Sequence, residues 1–216
     1  MTARSALIVG ACPSPFDRGF YGAMIRAADV LISADGGLDL CLASGRTPDV
    51  CVGDFDSVTP QALTKARRNG AEILAFPVEK DASDLDLAVA EARDRGLAPV
   101  TITAAFAGRP DHTFASLGVL LRAADLDARA AEPHFTAFVV DPTHLPALDL
   151  DLPVGTTLSL FSADADTTLG ISGVRYPLVD ETLAMWTSRG LSNVVTEPRQ
   201  RISVSAGRVL VFALSP

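Results

Sequence analysis

Hydrophobic and polar positions along the chain fall into two textures. In the first half, short aliphatic runs at residues 6–11, 30–34, 50–52, 72–76 and 100–105 are rich in aliphatic or β-branched side chains and end at Gly, Pro or Asp, as strands do. Between them, residues 16–28, 38–44, 60–69, 83–95 and 111–124 read as helices, and Leu85, Ala88, Val89 and Ala92 show the helical repeat clearly. Strand and helix in alternation predict an α/β fold: a doubly wound, mostly parallel sheet with helices on both faces. After about residue 130 the helical repeat disappears. Residues 135–140, 157–162, 170–176, 191–196, 202–205 and 209–214 are short β-rich runs separated by turns, which predicts a C-terminal all-β sandwich. Two domains are expected, 1–128 and 132–216, with a hinge in the polar, Ala-rich stretch 126–133.

Composition narrows the partners. A chain of 216 residues buries a substantial core, as one large domain or two small ones. Its formal net charge of -8 argues against nucleic acid or an anionic membrane surface as main partner, because both require a basic footprint. Cys12, Cys41 and Cys51 are odd in number and lack close pairing, so neither a disulfide framework nor a zinc site is indicated, and a reducing cytoplasm is the expected location. The opening apolar run is too short for a signal-peptide core and reads as a first strand. No apolar stretch approaches the roughly 20 residues that span a bilayer.

The candidate chemistry sits where predicted strands end. In an open α/β sheet the loops after the strands meet at one edge, where ligands bind. Asp35-Gly36-Gly37 follows the second strand: the glycines let backbone approach a ligand, or they make a plain turn. Asp54 and Asp56 flank Phe55 ahead of Ser57, so two carboxylates share a face of an extended segment; they hold a cation, or they belong to a solvated Asx turn. Lys80-Asp81-Ala82-Ser83-Asp84 opens a helix. Asp81, Ser83 and Asp84 suit its N-terminus as caps or dipole partners, and Lys80 adds a point charge for phosphate. Arg109-Pro110-Asp111-His112 repeats the arrangement, with Arg109 as a phosphate clamp or one half of a surface salt bridge. Carboxylates with Lys and Arg suit a magnesium-bound polyphosphate, and a nucleotide is the first candidate. His134 and His144 lack metal-ligand spacing, and Asp149-Leu150-Asp151 reads as a solvated loop.

Taken in order, these clusters resemble the thiamine pyrophosphokinase family, over nearly the whole chain. Two C-terminal stretches extend the resemblance: Ser172-Gly173-Val174-Arg175-Tyr176-Pro177-Leu178 and Gly190-Leu191-Ser192-Asn193. The resemblance implies Mg-dependent transfer of a diphosphate from ATP to thiamine, an α/β nucleotide-binding catalytic domain and a β-sandwich thiamine-binding domain. It also implies a homodimer with active sites between subunits. By that likeness Asp54, Asp56 and Asp81 hold magnesium with Asp84 close by, and Arg109 serves catalysis. Asp35, Gly36, Gly37, Ser57, Lys80, Asp111 and His112 lie on the ATP side. Tyr176 stacks on the vitamin beside Ser192 and Asn193. The chain departs from the family pattern at Ser83, where Thr is frequent, at Ser116, where bacterial members usually have Asn, and at Met185-Trp186, where they have Phe-Gly. Those departures keep two other readings open: a diphosphokinase for another alcohol such as a pterin, and a non-catalytic nucleotide- or thiamine-binding module.

Overall fold

The five aliphatic runs of the first half become five parallel strands joined by helices, in a computed structural model that describes residues 4–215. Residues 1–3, the start of the segment read as a strand rather than a leader, and residue 216 lie outside the described residues. The order is β1 (Ala6–Val9), α1 (Arg18–Ala27), β2 (Val30–Ala34), α2 (Gly37–Ala43), β3 (Val50–Gly53), α3 (Pro60–Arg68), β4 (Glu72–Ala75), α4 (Asp84–Asp94), β5 (Val100–Thr103) and α5 (Pro110–Arg122). The strands run β5-β1-β2-β3-β4 across the sheet, each neighbour parallel. Burial on both faces explains why β1 and β3 read as unbroken apolar runs, and the Ser of β2 and the threonines of β5 are buried with them. Leu7, Val9 and Leu31 pack with Tyr21 and Ile25 of α1 and Cys41 of α2. Ile8 and Ile32 alternate with them and so face the other side, where α4 lies against β1, β2 and β3. Strand order reverses at β1, between β5 and β2, which defines the switch point of a doubly wound sheet.

The chain divides into two compact units between Ala128 and Arg129. That boundary falls inside the stretch 126–133 expected to link the domains, and the stretch carries structure of its own. Ala124–Leu126 forms a 3-10 turn, Asp127 takes the left-handed conformation at φ 48°, and Arg129–Glu132 is a strand, β6, paired with the next strand. Polar and alanine-rich composition concealed it, because Arg129 is exposed while Ala130 and Glu132 are buried.

The second unit continues with β7 (Phe135–Val140), β8 (Ala147–Leu150), β9 (Thr157–Ser162), β10 (Asp166–Ser172), β11 (Leu178–Ala184), β12 (Asn193–Val194), β13 (Gln200–Ala206) and β14 (Val209–Leu214). Within it, β12-β9-β14-β7-β6 and β11-β10-β13-β8 form two antiparallel sheets. Leu158, Leu160, Val209 and Val211 from the first sheet share one core with Leu169, Ile171, Leu183 and Ile202 from the second, so the unit is a sandwich. β8 and β11 escaped the sequence pattern, and the strands expected at 170–176 and 191–196 lie instead at β10 and β12. Asp149, taken for loop, sits on β8 and makes two hydrogen bonds with Arg201 of β13 at 2.8 and 2.6 Å.

Candidate functional site

Three carboxylates converge at the strand ends of the first unit. One oxygen from each of Asp35, Asp54 and Asp84 lies within 4.8 Å of the others. The backbone is shaped for this approach. Asp35 and Phe55 hold φ of 42° and 60°, a left-handed conformation that is uncommon for non-glycine residues and costly for one as bulky as Phe55. Gly53 has φ 150°, and a Cβ there would lie 3.2 Å from the Cα, Cβ and N of Asp35. Its bare Cα lets the ends of β2 and β3 close together, and Asp35 N donates to Val52 O at 2.8 Å.

Lys80 neutralises much of this charge. Its ammonium donates to Asp54 Oδ2 at 2.6 Å and to Pro77 O at 3.1 Å. It also stands 3.2 Å from Asp84 Oδ1, an ion-pair distance off the line of a good hydrogen bond. The hydrogen bond from Lys80 lowers the pKa of Asp54, and the same bond raises that of Lys80. Asp84 responds oppositely: burial, which exceeds the opposing pull of Lys80, holds its carboxyl above the ordinary range, and the Asp54 and Asp35 charges add to the rise. Ser57 Oγ donates to Asp35 Oδ2 at 2.5 Å. Asp35 Oδ1 and Asp84 Oδ1 remain buried without hydrogen bonds. Buried, unsatisfied carboxylate oxygens are costly, and hard oxygen donors this close suit Mg2+. The donor set fits the ion.

A cleft of about 200 Å³ adjoins these carboxylates. Asp35, Ser83 and Asp84 line it with Gly10, Ala11 and Cys12 after β1, Ala105 after β5, and His112 and Ser116 on α5. It therefore lies at the switch point, where an α/β sheet binds ligands. Ser83 caps α4 by accepting from Asp86 N at 3.2 Å, and Asp86 Oδ2 reciprocates toward Ser83 N, a capping box that fixes the turn carrying Asp84.

The sequence-predicted residues separate into three groups. Asp35, Asp54, Ser57, Lys80 and Asp84 come together. Asp56 and Asp81 are exposed and lie outside the trio that Asp54 forms with Asp35 and Asp84. Asp84, the first residue of α4, is held at the cleft by the capped turn, whereas Asp81 precedes that turn. Arg109 and Asp111 pair with each other, Nη2 to Oδ2 at 2.6 Å and Nε to Oδ1 at 3.2 Å, both largely exposed. That pair, led by the Arg109 hydrogen bonds, lowers the Asp111 pKa to about 2. Arg109, the N-cap of α5, makes no side-chain capping bond. At Gly37 a Cβ would stand 2.1 Å from Val9 O, so its smallness serves packing of α2 on β1. Gly36 faces Ser57 and Ala11, each about 3 Å from a hypothetical Cβ. Sequence reasoning missed Gly10, Ala11 and Cys12. The available signal was Gly10 at the end of the first strand, where a Cβ would lie 2.8 Å from Ala104 O.

Tyr176, Ser192 and Asn193 gather separately, in the second unit. Tyr176 is 64% exposed. Asn193 is buried and bonds the Tyr176 backbone, while Ser192 holds φ 58° with its N–H on Ser159 Oγ at 3.0 Å.

An α/β unit with carboxylates and a lysine at its switch point, followed in the chain by a β-sandwich, defines the class: a kinase-type transferase with a separate β domain. Residues 21–131 match the family model "Thiamin pyrophosphokinase, catalytic domain", and residues 147–209 match "Thiamin pyrophosphokinase, vitamin B1 binding domain". The chain belongs to the thiamin pyrophosphokinase family. It is similar to the Bacillus subtilis protein named thiamine pyrophosphokinase, 24% identical over 190 residues that cover 84% of this chain and 85% of that one. It is also similar to thiamine pyrophosphokinase 1 of Oryza sativa subsp. japonica, 24% identical over 177 residues, 77% of this chain and 66% of the rice protein. The crystal structure of the Bacillus subtilis thiamine pyrophosphokinase superposes with a TM-score of 0.83 at 21% identity, covering 99% of this chain and all of that one. The Candida albicans thiamin pyrophosphokinase gives 0.80 at 15% identity, covering 99% and 90%. Those superpositions concern the fold.

Proposed function

We propose that the chain transfers a diphosphate from ATP to the hydroxyl of thiamine, producing thiamine diphosphate and AMP, with Mg2+ at Asp35, Asp54 and Asp84. The observation that carries the proposal is that trio beside a cleft at the switch point, with Asp35 Oδ1 buried without a hydrogen bond and Asp84 Oδ1 met only by the Lys80 ion pair. The matched catalytic and vitamin-binding models support the donor and acceptor classes.

The reaction needs no protein nucleophile. Thiamine's hydroxyl oxygen forms a bond to the β-phosphorus of ATP, the bond from that phosphorus to the α,β-bridging oxygen breaks, and AMP leaves with the electron pair. The hydroxyl proton passes to solvent or a carboxylate. A bound Mg2+ would supply Lewis-acid charge stabilisation to the phosphate oxygens. Lys80 brings a cation already ordered between Asp54 and Asp84 to the polyphosphate. Arg109 spends Nε and one Nη on Asp111, which orients the guanidinium and leaves its other N–H donors for phosphate oxygens. His112 and Ser116 wall the cleft. Tyr176 offers an exposed aromatic face to the acceptor, as the family resemblance implies. By the same resemblance the chain works as a cytoplasmic homodimer whose active sites pair the α/β unit of one subunit with the β unit of the other; solution mass measurement tests the dimer.

Incubation of the purified protein with ATP, MgCl2 and equimolar thiamine and hydroxymethylpterin, read by mass spectrometry, tests the acceptor. Thiamine diphosphate as the dominant product is expected. A pterin diphosphate in its place would overturn the assignment.

A further inference from the structure

Tyr176 lies in a turn ahead of β11, with no strand of its own to hold it, yet its backbone is fully bonded. Upstream, the 173–175 stretch runs beside the 194–196 stretch as if in a ladder: Thr196 N donates to Gly173 O at 3.0 Å, Val174 and Val195 form a bridge, and Arg175 N donates to Val194 O at 2.8 Å. At the next position the backbone ladder stops and a side chain replaces it. Asn193 Oδ1 accepts from Tyr176 N at 3.0 Å, and Asn193 Nδ2 donates to Tyr176 O at 2.8 Å. The primary amide thus copies a peptide group, satisfying both backbone groups of one residue. Its Oδ1 also accepts from Val194 N at 2.9 Å. Asn193 is only 6% exposed, whereas Tyr176 is 64% exposed.

We infer that Asn193 does not touch the acceptor but is a positioning residue, whose amide clamps the Tyr176 peptide so that the exposed ring is pre-organised for the acceptor; this rests on the proposed role of Tyr176. The chemistry of the amide supports the choice. Aspartate retains the acceptor but loses the donor to Tyr176 O; alanine loses both; glutamine carries the amide one methylene too far. The segment bearing Asn193 is itself braced. Gly190 sits where a Cβ would be 2.4 Å from Leu160 O, its carbonyl accepts from Leu160 N at 2.9 Å, and the Ser192 N–H is held by the buried Ser159 hydroxyl. The clamp is anchored on β9, in the core of the sandwich. A pre-organised contact surface loses less freedom on binding, so its removal acts on acceptor affinity rather than on the chemical step.

The test compares Asn193→Ala, Asn193→Asp, Tyr176→Ala and the Asn193→Ala/Tyr176→Ala double variant, as full chains with MgATP, measuring kcat and both KM values. For Asn193→Ala and Asn193→Asp the expected result is a KM for thiamine raised roughly three- to tenfold, with KM for ATP and kcat at saturating thiamine within about twofold. The double variant should match Tyr176→Ala, because a clamp has no effect once its ring is gone. If Tyr176→Ala raises the thiamine KM while the Asn193 variants change only thermal stability, the clamp is refuted and the Tyr176 reading survives. If Asn193→Ala adds its full effect on top of Tyr176→Ala, Asn193 acts on the acceptor by itself and the inference also falls. If Tyr176→Ala leaves the thiamine KM unchanged, the aromatic-wall reading and the clamp fall together. Asn193→Asp is nearly isosteric, so a misfolded alanine variant does not remove the test.

Discussion

Asp54 is the carboxylate on which the site turns, because it belongs to the acidic trio and is also the partner of Lys80. Asp54→Asn should leave the melting temperature near wild type and lower turnover by about 10²-fold or more, the loss typical of removing a principal electrostatic group; activity within a few-fold of wild type would take Asp54 out of the site. A second residue-scale expectation concerns Arg208, whose Nε and Nη2 hold Asp164 at 3.0 and 2.7 Å and lower its pKa. A carboxyl with a depressed folded pKa stabilises above its ordinary pKa and loses that contribution as pH falls through the folded value. Arg208→Ala should therefore cost about 0.5–1 kcal/mol at pH 7, given partial exposure, and less as the pH drops through the acid range. Chemical denaturation at pH 7 and in that range checks the trend, and a penalty that grows on acidification would contradict it. At this scale the sequence singled out Asp54, Lys80 and Asp84, which the structure brings together, since acids after a strand and at a helix start signal a ligand edge. Their division of labour was hidden. Asp35 joins Asp54 only because Gly53 and two left-handed residues bend the strand ends together, and spacing along the chain carries no trace of that.

Elements place these groups through two devices. The first is close packing of α2 on β1 at Gly37. Gly37→Ala would drive a methyl to 2.1 Å from Val9 O, and a loss of about 1–3 kcal/mol or more is expected from overpacking; an unchanged denaturation midpoint would show that the helix shifts freely. The second is the capping box at the start of α4. Ser83→Ala should lower stability by about 1 kcal/mol and reduce activity too, because Asp84 begins the capped turn. Activity preserved alongside lost stability would separate the cap from the site. Helices and buried parallel strands were legible within a few residues, since period and turn residues agree there. β11 was not: Leu178–Ala184 carries Asp180 and Glu181, lies at a sheet edge, and buries only Leu183 fully, so alternation is absent. β12 is only two residues long, so the run 191–196 located it but overstated its length.

The whole molecule divides its work between two folded units, each with a core of its own. Carboxylates and lysine sit in the first, the clamped tyrosine in the second, which matches the order of the catalytic and vitamin-binding family models along the chain. Truncating a core side chain of the sandwich such as Leu160→Ala should cost about 2–5 kcal/mol, visible as a lowered denaturation midpoint. Among the described residues no helix is long and apolar enough to cross a membrane. The formal net charge of -8 is met locally at the acidic trio by Lys80, which pairs with Asp54. The measurement that bears most directly on diphosphate transfer is nucleotide release from ATP by the purified chain, with and without thiamine and Mg2+. AMP formed only when both are present, in equal amount to thiamine diphosphate, is the expected result. ADP in place of AMP, or AMP formed at the same rate without thiamine, would contradict it.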